Sequence, residues 1–98
     1  MRDDHIQCIG MIDEDTSTIH MAVCSTQGDE EHLLRHVFDI IKDATKAYGA
    51  KVYSPNQILK ILIPAGINYV LIALKFQSPL DLKRFIENCL TIQGEIML

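Results

Sequence analysis

Residues 57–76, with the sequence QILKILIPAGINYVLIALKF, form the most apolar stretch of the chain and constrain its fold more than any other segment. Its length approaches the roughly 20 residues that a helix needs to cross a bilayer. However, Pro64-Ala65-Gly66 lies in its middle, and proline followed closely by glycine indicates a turn. The flanking runs are rich in Ile, Val, Leu and Tyr, which suit a pleated surface. The stretch therefore predicts a β-hairpin over 57–76, which is the second hairpin in chain order, and not a membrane-spanning helix.

This predicted hairpin is apolar on both of its faces. A three-residue loop at 64–66 would pair Ile63 with Ile67 and Ile61 with Tyr69. The other face also carries mostly aliphatic side chains, which is typical of strands in the middle of a sheet. If the chain supplies only two helices, we expect part of the cover for these faces to come from another molecule.

An earlier pair of strand-like runs, IQCIGMI and IHMAVC, flanks the acidic and hydroxyl-rich segment DEDTST. The pattern predicts a first hairpin over 6–24 that turns at 14–17. Alternation along the strands assigns one set of side chains to the core: Ile9, Met11, Ile19, Met21 and Val23. It assigns a smaller and mildly polar set to the other face: Cys8, Gly10, Ile12, Thr18, His20, Ala22 and Cys24.

Two segments show helical spacing of apolar residues. The first predicts a helix over 29–48, with acidic residues in its first turn and Gly49 at its end. The second predicts a helix over 78–93, in which Ser78 caps the start and Pro79 takes the first helical position. The expected fold is thus α+β, an antiparallel sheet of two hairpins with two helices in the order β-β-α-β-β-α.

The composition excludes several classes of function. The 98 residues predict one domain over 1–98, and 48% apolar with 22% charged residues is ordinary for a globular protein. A net charge of −4 with no basic cluster argues against nucleic acid as a partner. The three cysteines do not form a disulfide framework, and the polar N-terminus does not read as a secretory signal. We therefore expect a cytoplasmic protein that does not insert into membranes.

The order of elements from Ile6 to Leu90, with an antiparallel sheet and helices able to cover both faces, resembles the roadblock and longin-like modules. The resemblance implies a small domain that dimerises and acts as a scaffold for small GTPases, dynein or trafficking complexes. It is a resemblance of architecture, with four predicted strands where roadblock domains have five and without their helix before the first strand. No motif residue matches, so no functional residue is transferred.

Possible metal ligands occur in the first hairpin. His20 and Cys24 share a face of one strand, and Cys8, with His5 before it, lies on the paired strand, so these side chains are weak candidates for a zinc site. Their spacing matches no zinc motif, and a buried cysteine more often acts as a small hydrophobe. His32 and His36 also have ligand spacing on a helix, but a solvated helix face explains them better. We assign no catalytic residue and no cofactor.

The sequence favours a non-catalytic protein–protein interaction or scaffold module that forms a homodimer or joins a larger assembly. We expect the long helix and an edge strand to form the contact, together with the apolar C-terminal tail. The predicted interface residues are His32, Arg35, His36, Ile96, Met97 and Leu98. An alternative is a regulatory domain that binds a small ligand between subunits or in a cleft beside His20 and Cys24. A minor alternative is a metal-binding protein or an enzyme with its site at a subunit interface.

Overall fold

A computed structural model of the chain describes residues 6–26, 30–89 and 94–97. The strands are β1 (Ile6–Asp13), β2 (Thr18–Ser25), β3 (Lys51–Tyr53), β4 (Asn68–Lys75) and β5 (Gly94–Met97). The first four form an antiparallel sheet in the order β3-β4-β2-β1, and the short β5 runs parallel to β1 at the far edge. The helices are α1 (Glu30–Tyr48), a 3₁₀ helix (Gln57–Leu62) and α2 (Pro79–Cys89). The predicted α+β class is confirmed. The predicted order β-β-α-β-β-α is not exact, because a 3₁₀ helix lies between β3 and β4 and a fifth strand follows α2.

The first hairpin is confirmed, and a four-residue turn at 14–17 closes it. Asp13 pairs with Thr18 across the end of the two strands. The carboxylate of Asp13 accepts a hydrogen bond from the backbone N–H of Asp15 at 3.0 Å. Ser17 has a φ of 53°, in the left-handed region, which brings the chain back into β2.

The turn length decides which side chains share a face, and here the sequence prediction was wrong. Because four residues separate Asp13 from Thr18, Cys8 pairs with Val23 and Ile9 pairs with Ala22. Ile9 and Met11 therefore lie on the face opposite to Ile19, Met21 and Val23, and Cys8 belongs to the larger core. A shift of one residue in register moves every side chain of a strand to the other face.

The predicted second hairpin over 57–76 is also wrong. Its first half is the 3₁₀ helix, and only its second half is a strand, β4. The side-chain oxygen of Asn56 accepts a hydrogen bond from the backbone N–H of Ile58 at 2.9 Å, which starts the helical turn instead of an extended strand. β4 pairs along its whole length with β2 and at one end with β3. Within the described ranges, no helix has the length and apolar character to span a bilayer.

Both α-helices pack on one face of the sheet and not, as expected, on two. α1 buries Leu33, Val37, Ile40 and Ala44 against β2 and β4. α2 contributes Leu82 and Phe85 to the same core, and its start is capped by a hydrogen bond from the Asp81 N–H to the Ser78 hydroxyl. Of the predicted helical ranges, residue 29 and residues 90–93 lie outside the described residues. The other face of the sheet is left to the 3₁₀ helix.

Candidate functional site

The sheet face opposite α1 and α2 carries a second and much smaller apolar cluster. Three of its residues are buried, namely Ala22 and Cys24 on β2 and Leu59 on the 3₁₀ helix. Around them pack partly buried side chains from β1, β4 and the 63–67 loop: Ile9, Met11, Ile63, Ile67 and Leu71. One six-residue helix therefore covers the centre of this face, and its edges remain accessible.

Two hydrogen bonds of Asn56 fix the 3₁₀ helix on the sheet. Its backbone N–H donates to Nδ1 of His20 on β2 at 3.2 Å, which joins residues 36 apart in the sequence. Its side chain accepts from the N–H of Ile58 and caps the helix. At the other end, the N–H of Ile63 donates to the carbonyl of Lys60 at 3.2 Å, and Gly66 turns the chain with a φ of 86°. The helix is thus held to the sheet at its start by the bond between Asn56 and His20 and in its middle by Leu59.

The outer side of the 3₁₀ helix is apolar and exposed. Ile61 is 81% exposed, Ile58 is 58% exposed and Leu62 is 44% exposed. A 3₁₀ helix has three residues per turn, so Ile58 and Ile61 stand one above the other and form a ridge. We call the three side chains Ile58, Ile61 and Leu62 the turn surface. Three adjacent large aliphatic side chains at this exposure form a patch of the kind that marks an interaction site.

A second exposed apolar patch lies on α1. Phe38 is 67% exposed and Leu34, one turn before it, is 39% exposed. Arg35 beside them forms an ion pair with Glu31, with 3.1 Å between the guanidinium nitrogen and the carboxylate oxygen. Both charged side chains are largely exposed, so this pair adds little stability and leaves Arg35 available to a partner.

The residues predicted for the interface are placed in different ways. Arg35 is exposed beside the α1 patch, while His32 and His36 are half-buried on the same helix. Ile96 and Met97 belong to β5, where their backbones lie opposite Gly10 and Met11 of β1. Leu98 lies outside the described residues. The structure thus brings Arg35 to an apolar patch and gives the tail a place at an edge of the sheet.

The cysteine and histidine candidates do not form one cluster. Cys8 belongs to the core under the α-helices, whereas Cys24 belongs to the cluster under the 3₁₀ helix. Burial, with a smaller contribution from Cys24, raises the pKa of the Cys8 thiol to about 12. Burial also raises the pKa of Cys24. Neither thiol is therefore primed as a thiolate nucleophile.

His20 faces the 3₁₀ helix and uses its ring in a structural role. Because Nδ1 accepts the hydrogen bond from Asn56, this nitrogen cannot at the same time bind a metal. Among the residues that the structure describes, no three or more His, Cys, Asp or Glu side chains come close enough to hold a metal ion. His5, the fourth residue of the predicted set, is outside the described residues.

A cleft of about 610 Å³ lies elsewhere, between the first hairpin and α2. Apolar side chains make most of its wall, and the charged side chains at it are Glu14, Lys83 and Glu87. It is on the side of β1 and α2, not beside His20 and Cys24, where the sequence had suggested a ligand cleft. Its size falls in the range of small-molecule sites.

The sequence patterns do not single out the most exposed apolar residues. Leu34 and Phe38 share the helical spacing that predicted the first helix, and Ile58 and Ile61 lie in the stretch that predicted a hairpin apolar on both faces. A usable signal existed for α1, because its apolar positions span more of the helix than one core face needs. For the 3₁₀ helix the signal was Asn56, which can cap a helical turn.

Comparison with known proteins gives no relative that could assign a function. No protein-family model, curated protein or solved structure matches this chain.

Proposed function

We propose that this chain is a non-catalytic protein–protein interaction module that forms a homodimer or joins a larger assembly through the turn surface. The observation that carries the proposal is the exposure of Ile58, Ile61 and Leu62 on a helix that is itself firmly anchored. Exposed aliphatic side chains on a fixed element lose little conformational entropy when a partner covers them. Complete burial of Ile61, the most exposed of the three at 81%, is favourable by up to about 1.5 to 3 kcal/mol.

The raised thiol pKa values and the structural use of His20 favour an interaction role over a catalytic one. A nucleophilic cysteine needs a lowered pKa and a nearby base, and Cys8 and Cys24 have the opposite shift. The charged residues of α1 form a solvent-exposed surface around the α1 patch. This surface supports a second contact area on the same module.

The proposal is tested by measuring the molar mass in solution with light scattering over a range of micromolar concentrations. We expect self-association of the native chain, or a partner retained from its native cell, and loss of either in the double variant Ile58→Asp, Ile61→Asp. The variant Gln57→Asp is the control, because it adds a charge to the same helix and removes no aliphatic side chain. A native chain that is monomeric and without partner at all concentrations would contradict the proposal.

A roadblock- or longin-like scaffold that associates with small GTPases or trafficking complexes is the more specific form of this proposal. It is supported by the order hairpin, helix, strand pair, helix around an antiparallel sheet. Nucleotide-loaded and nucleotide-free small GTPases, offered to the immobilised chain, test this form separately from self-association. Equal failure of both nucleotide states leaves only the general interaction role.

A regulatory domain that binds a small ligand is the second candidate, and the cleft between the first hairpin and α2 favours it. The cleft offers an apolar wall formed by Ile12, Leu82 and Ile86, with Lys83 at its rim. A thermal-shift screen against metabolites tests this candidate, because a ligand that prefers the folded state raises the Tm. We expect a hit to be lost in the variant Ile86→Gln, at a partly buried residue of the cleft wall, and kept in Ile61→Asp.

A further inference from the structure

We infer that the outer edge of β4 at residues 69–72 is a docking site for an extended acidic segment of a partner protein, which adds a strand to the sheet. This inference shares with the proposed function only the general interaction role, because the edge is separate from the turn surface.

The place for such a strand is opened by the path of the chain itself. β3 pairs with the outer edge of β4 at residues 73–75 only, while β2 pairs with the whole inner edge. After Tyr53 the chain leaves the edge, since Pro55 has no N–H to give to a strand and the N–H of Asn56 bonds to His20 on β2. Within the described ranges, no strand pairs with the outer edge at 69–72.

The backbone of this edge supplies the attraction. In a strand, alternate residues direct both the N–H and the C=O toward the same edge. Two of the four residues at 69–72 therefore direct their N–H and C=O groups, four in total, toward the outer edge of β4. These groups lie in line with β3, which occupies the same edge at residues 73–75. An extended peptide laid along this line would continue β3, and main-chain hydrogen bonds of this kind give affinity in strand-addition complexes.

The side chains around the edge define the chemistry of the peptide. Tyr69, on the edge itself, is 38% exposed and offers aromatic surface to a side chain of an added strand. Tyr53, the last residue of β3, has the ammonium group of Lys75 5.7 Å from its ring centre. The segment from Gly49 to Leu80 contains three lysines, Lys51, Lys60 and Lys75, and no Asp or Glu. With −4 on the whole chain and +3 on this segment, the rest of the chain carries −7. Lys51 and Lys75 lie opposite each other where β3 pairs with β4, three residues beyond the open edge, so an acidic peptide is attracted to this part of the sheet.

The same charges select among possible occupants. A second copy placed edge to edge would offer no carboxylate to these lysines, because residues 49–80 contain no Asp or Glu. A basic peptide would be repelled by the same lysines. An acidic segment with aliphatic residues at alternate positions satisfies the backbone, Tyr69 and the lysines at once.

The experiment measures binding of a short, fluorescein-labelled peptide that alternates valine with glutamate, by fluorescence anisotropy at low salt. We expect saturable binding that weakens as salt is added, and no binding of the matched peptide with lysine in place of glutamate. In the double variant Lys51→Glu, Lys75→Glu we expect the affinity for the acidic peptide to fall about tenfold or more. The control is Lys42→Glu, Lys83→Glu, which changes the net charge equally on α1 and α2 and should keep the affinity.

Backbone N-methylation separates strand addition from simple charge attraction. Methyl groups on every second peptide nitrogen block one edge of the peptide. We expect one methylated set to abolish binding and the other set, shifted by one residue, to retain it. Equal binding of both sets, or an effect of Lys42→Glu, Lys83→Glu as large as that of Lys51→Glu, Lys75→Glu, overturns the inference. Binding of anionic lipid vesicles without binding of the peptide also overturns it.

The two proposals fail separately. The peptide should still bind to the variant Ile58→Ser, Ile61→Ser, in which the turn surface is lost and the charge of residues 49–80 is unchanged. Self-association should survive in the variant Lys51→Glu, Lys75→Glu. Loss of self-association with intact peptide binding therefore bears on the turn surface alone, and the reverse result bears on the edge of β4 alone.

Discussion

At the scale of single residues, the chain uses its potentially reactive groups for packing. Cys8 is 2% exposed in the core, and its thiol is held in the neutral form by burial. Cys24 donates a weak hydrogen bond from Sγ to the carbonyl of Ala22 at 3.9 Å. Nδ1 of His20 accepts a hydrogen bond from the backbone N–H of Asn56. The residue types that suggested a metal site are thus explained by the contacts that hold two layers on the sheet.

The Cys8 thiol predicts a loss of stability in alkaline solution. Its ordinary pKa of 9.0 is raised to about 12 in the folded chain, so the unfolded chain releases this proton first. The contribution of Cys8 is complete below pH 9 and is lost as the pH rises from 9 toward 12, by about 1.4 kcal/mol per pH unit. Denaturant unfolding at several pH values measures this slope, and Cys8→Ala provides the reference without the thiol. A slope unchanged by Cys8→Ala would contradict this placement of Cys8.

The hydrogen bond of His20 predicts the cost of releasing the 3₁₀ helix. In His20→Ala the N–H of Asn56 loses its acceptor, and we expect a loss of about 1 to 2 kcal/mol in the free energy of unfolding. His20→Asn is the matched control, because its side-chain oxygen can take the position of Nδ1. Hydrogen exchange of the Asn56 amide reports the bond directly. Equal stability of the alanine and asparagine variants would mean that the bond contributes nothing.

At the scale of elements, α1 has two apolar stripes with different roles. Val37 points into the core, whereas Phe38, the next residue along the helix, is mostly exposed. Consecutive helical residues are about 100° apart, so one helix can bury one stripe and present another. The helix therefore serves the core and the surface at the same time.

This division predicts opposite effects for two neighbouring substitutions. Val37→Ala should lower the free energy of unfolding by about 2 kcal/mol, because it leaves a cavity under α1. Phe38→Gln should change it by no more than about 0.5 kcal/mol, because the phenyl ring makes few core contacts. Urea denaturation of both variants measures the difference. A larger loss in Phe38→Gln than in Val37→Ala would show that α1 is rotated from this orientation.

At the scale of the whole molecule, one core under the α-helices carries most of the burial. Phe85 of α2 is fully buried, with its ring centre 5.1 Å from that of Phe76 and 5.8 Å from that of Tyr48. Since Phe76 follows β4 and Tyr48 ends α1, this aromatic group joins the two helices and the sheet. The opposite face has only the small cluster around Leu59. Such an unequal division of apolar surface is the physical basis for the proposed partner.

The aromatic group predicts the most damaging core substitution. Phe85→Ala should cost about 3 to 5 kcal/mol, since it removes a ring that packs against Tyr48 of α1 and Phe76 after β4. Leu80→Ala on the same helix is the control, because Leu80 is exposed and its loss should be close to neutral. The Tm values of both variants, measured by thermal unfolding, test this prediction. Similar Tm values for the two would contradict the placement of Phe85 at the centre of the core.

Much of the fold follows from local patterns in the sequence. The alternation in 6–24 predicted the first hairpin, and the helical spacing with Gly49 and Ser78 predicted α1 and α2 near their observed bounds. The exposed turn surface did not follow, because Ile58 and Ile61 are as apolar as any core residue. In a short aliphatic run, hydrophobicity and β propensity do not distinguish a strand from a 3₁₀ helix.

The sequence by itself determined the α+β class, the first hairpin, the two α-helices and the excess of apolar side chains over what two helices can cover. Only the tertiary structure decided the register of that hairpin, the conversion of Gln57–Leu62 into a 3₁₀ helix and the placement of both α-helices on one face. The physical reason is that local patterns act over a few residues. The pairing of β4 with β2 and the hydrogen bond between Asn56 and His20 join parts of the chain that are distant in sequence, and no local pattern predicts them.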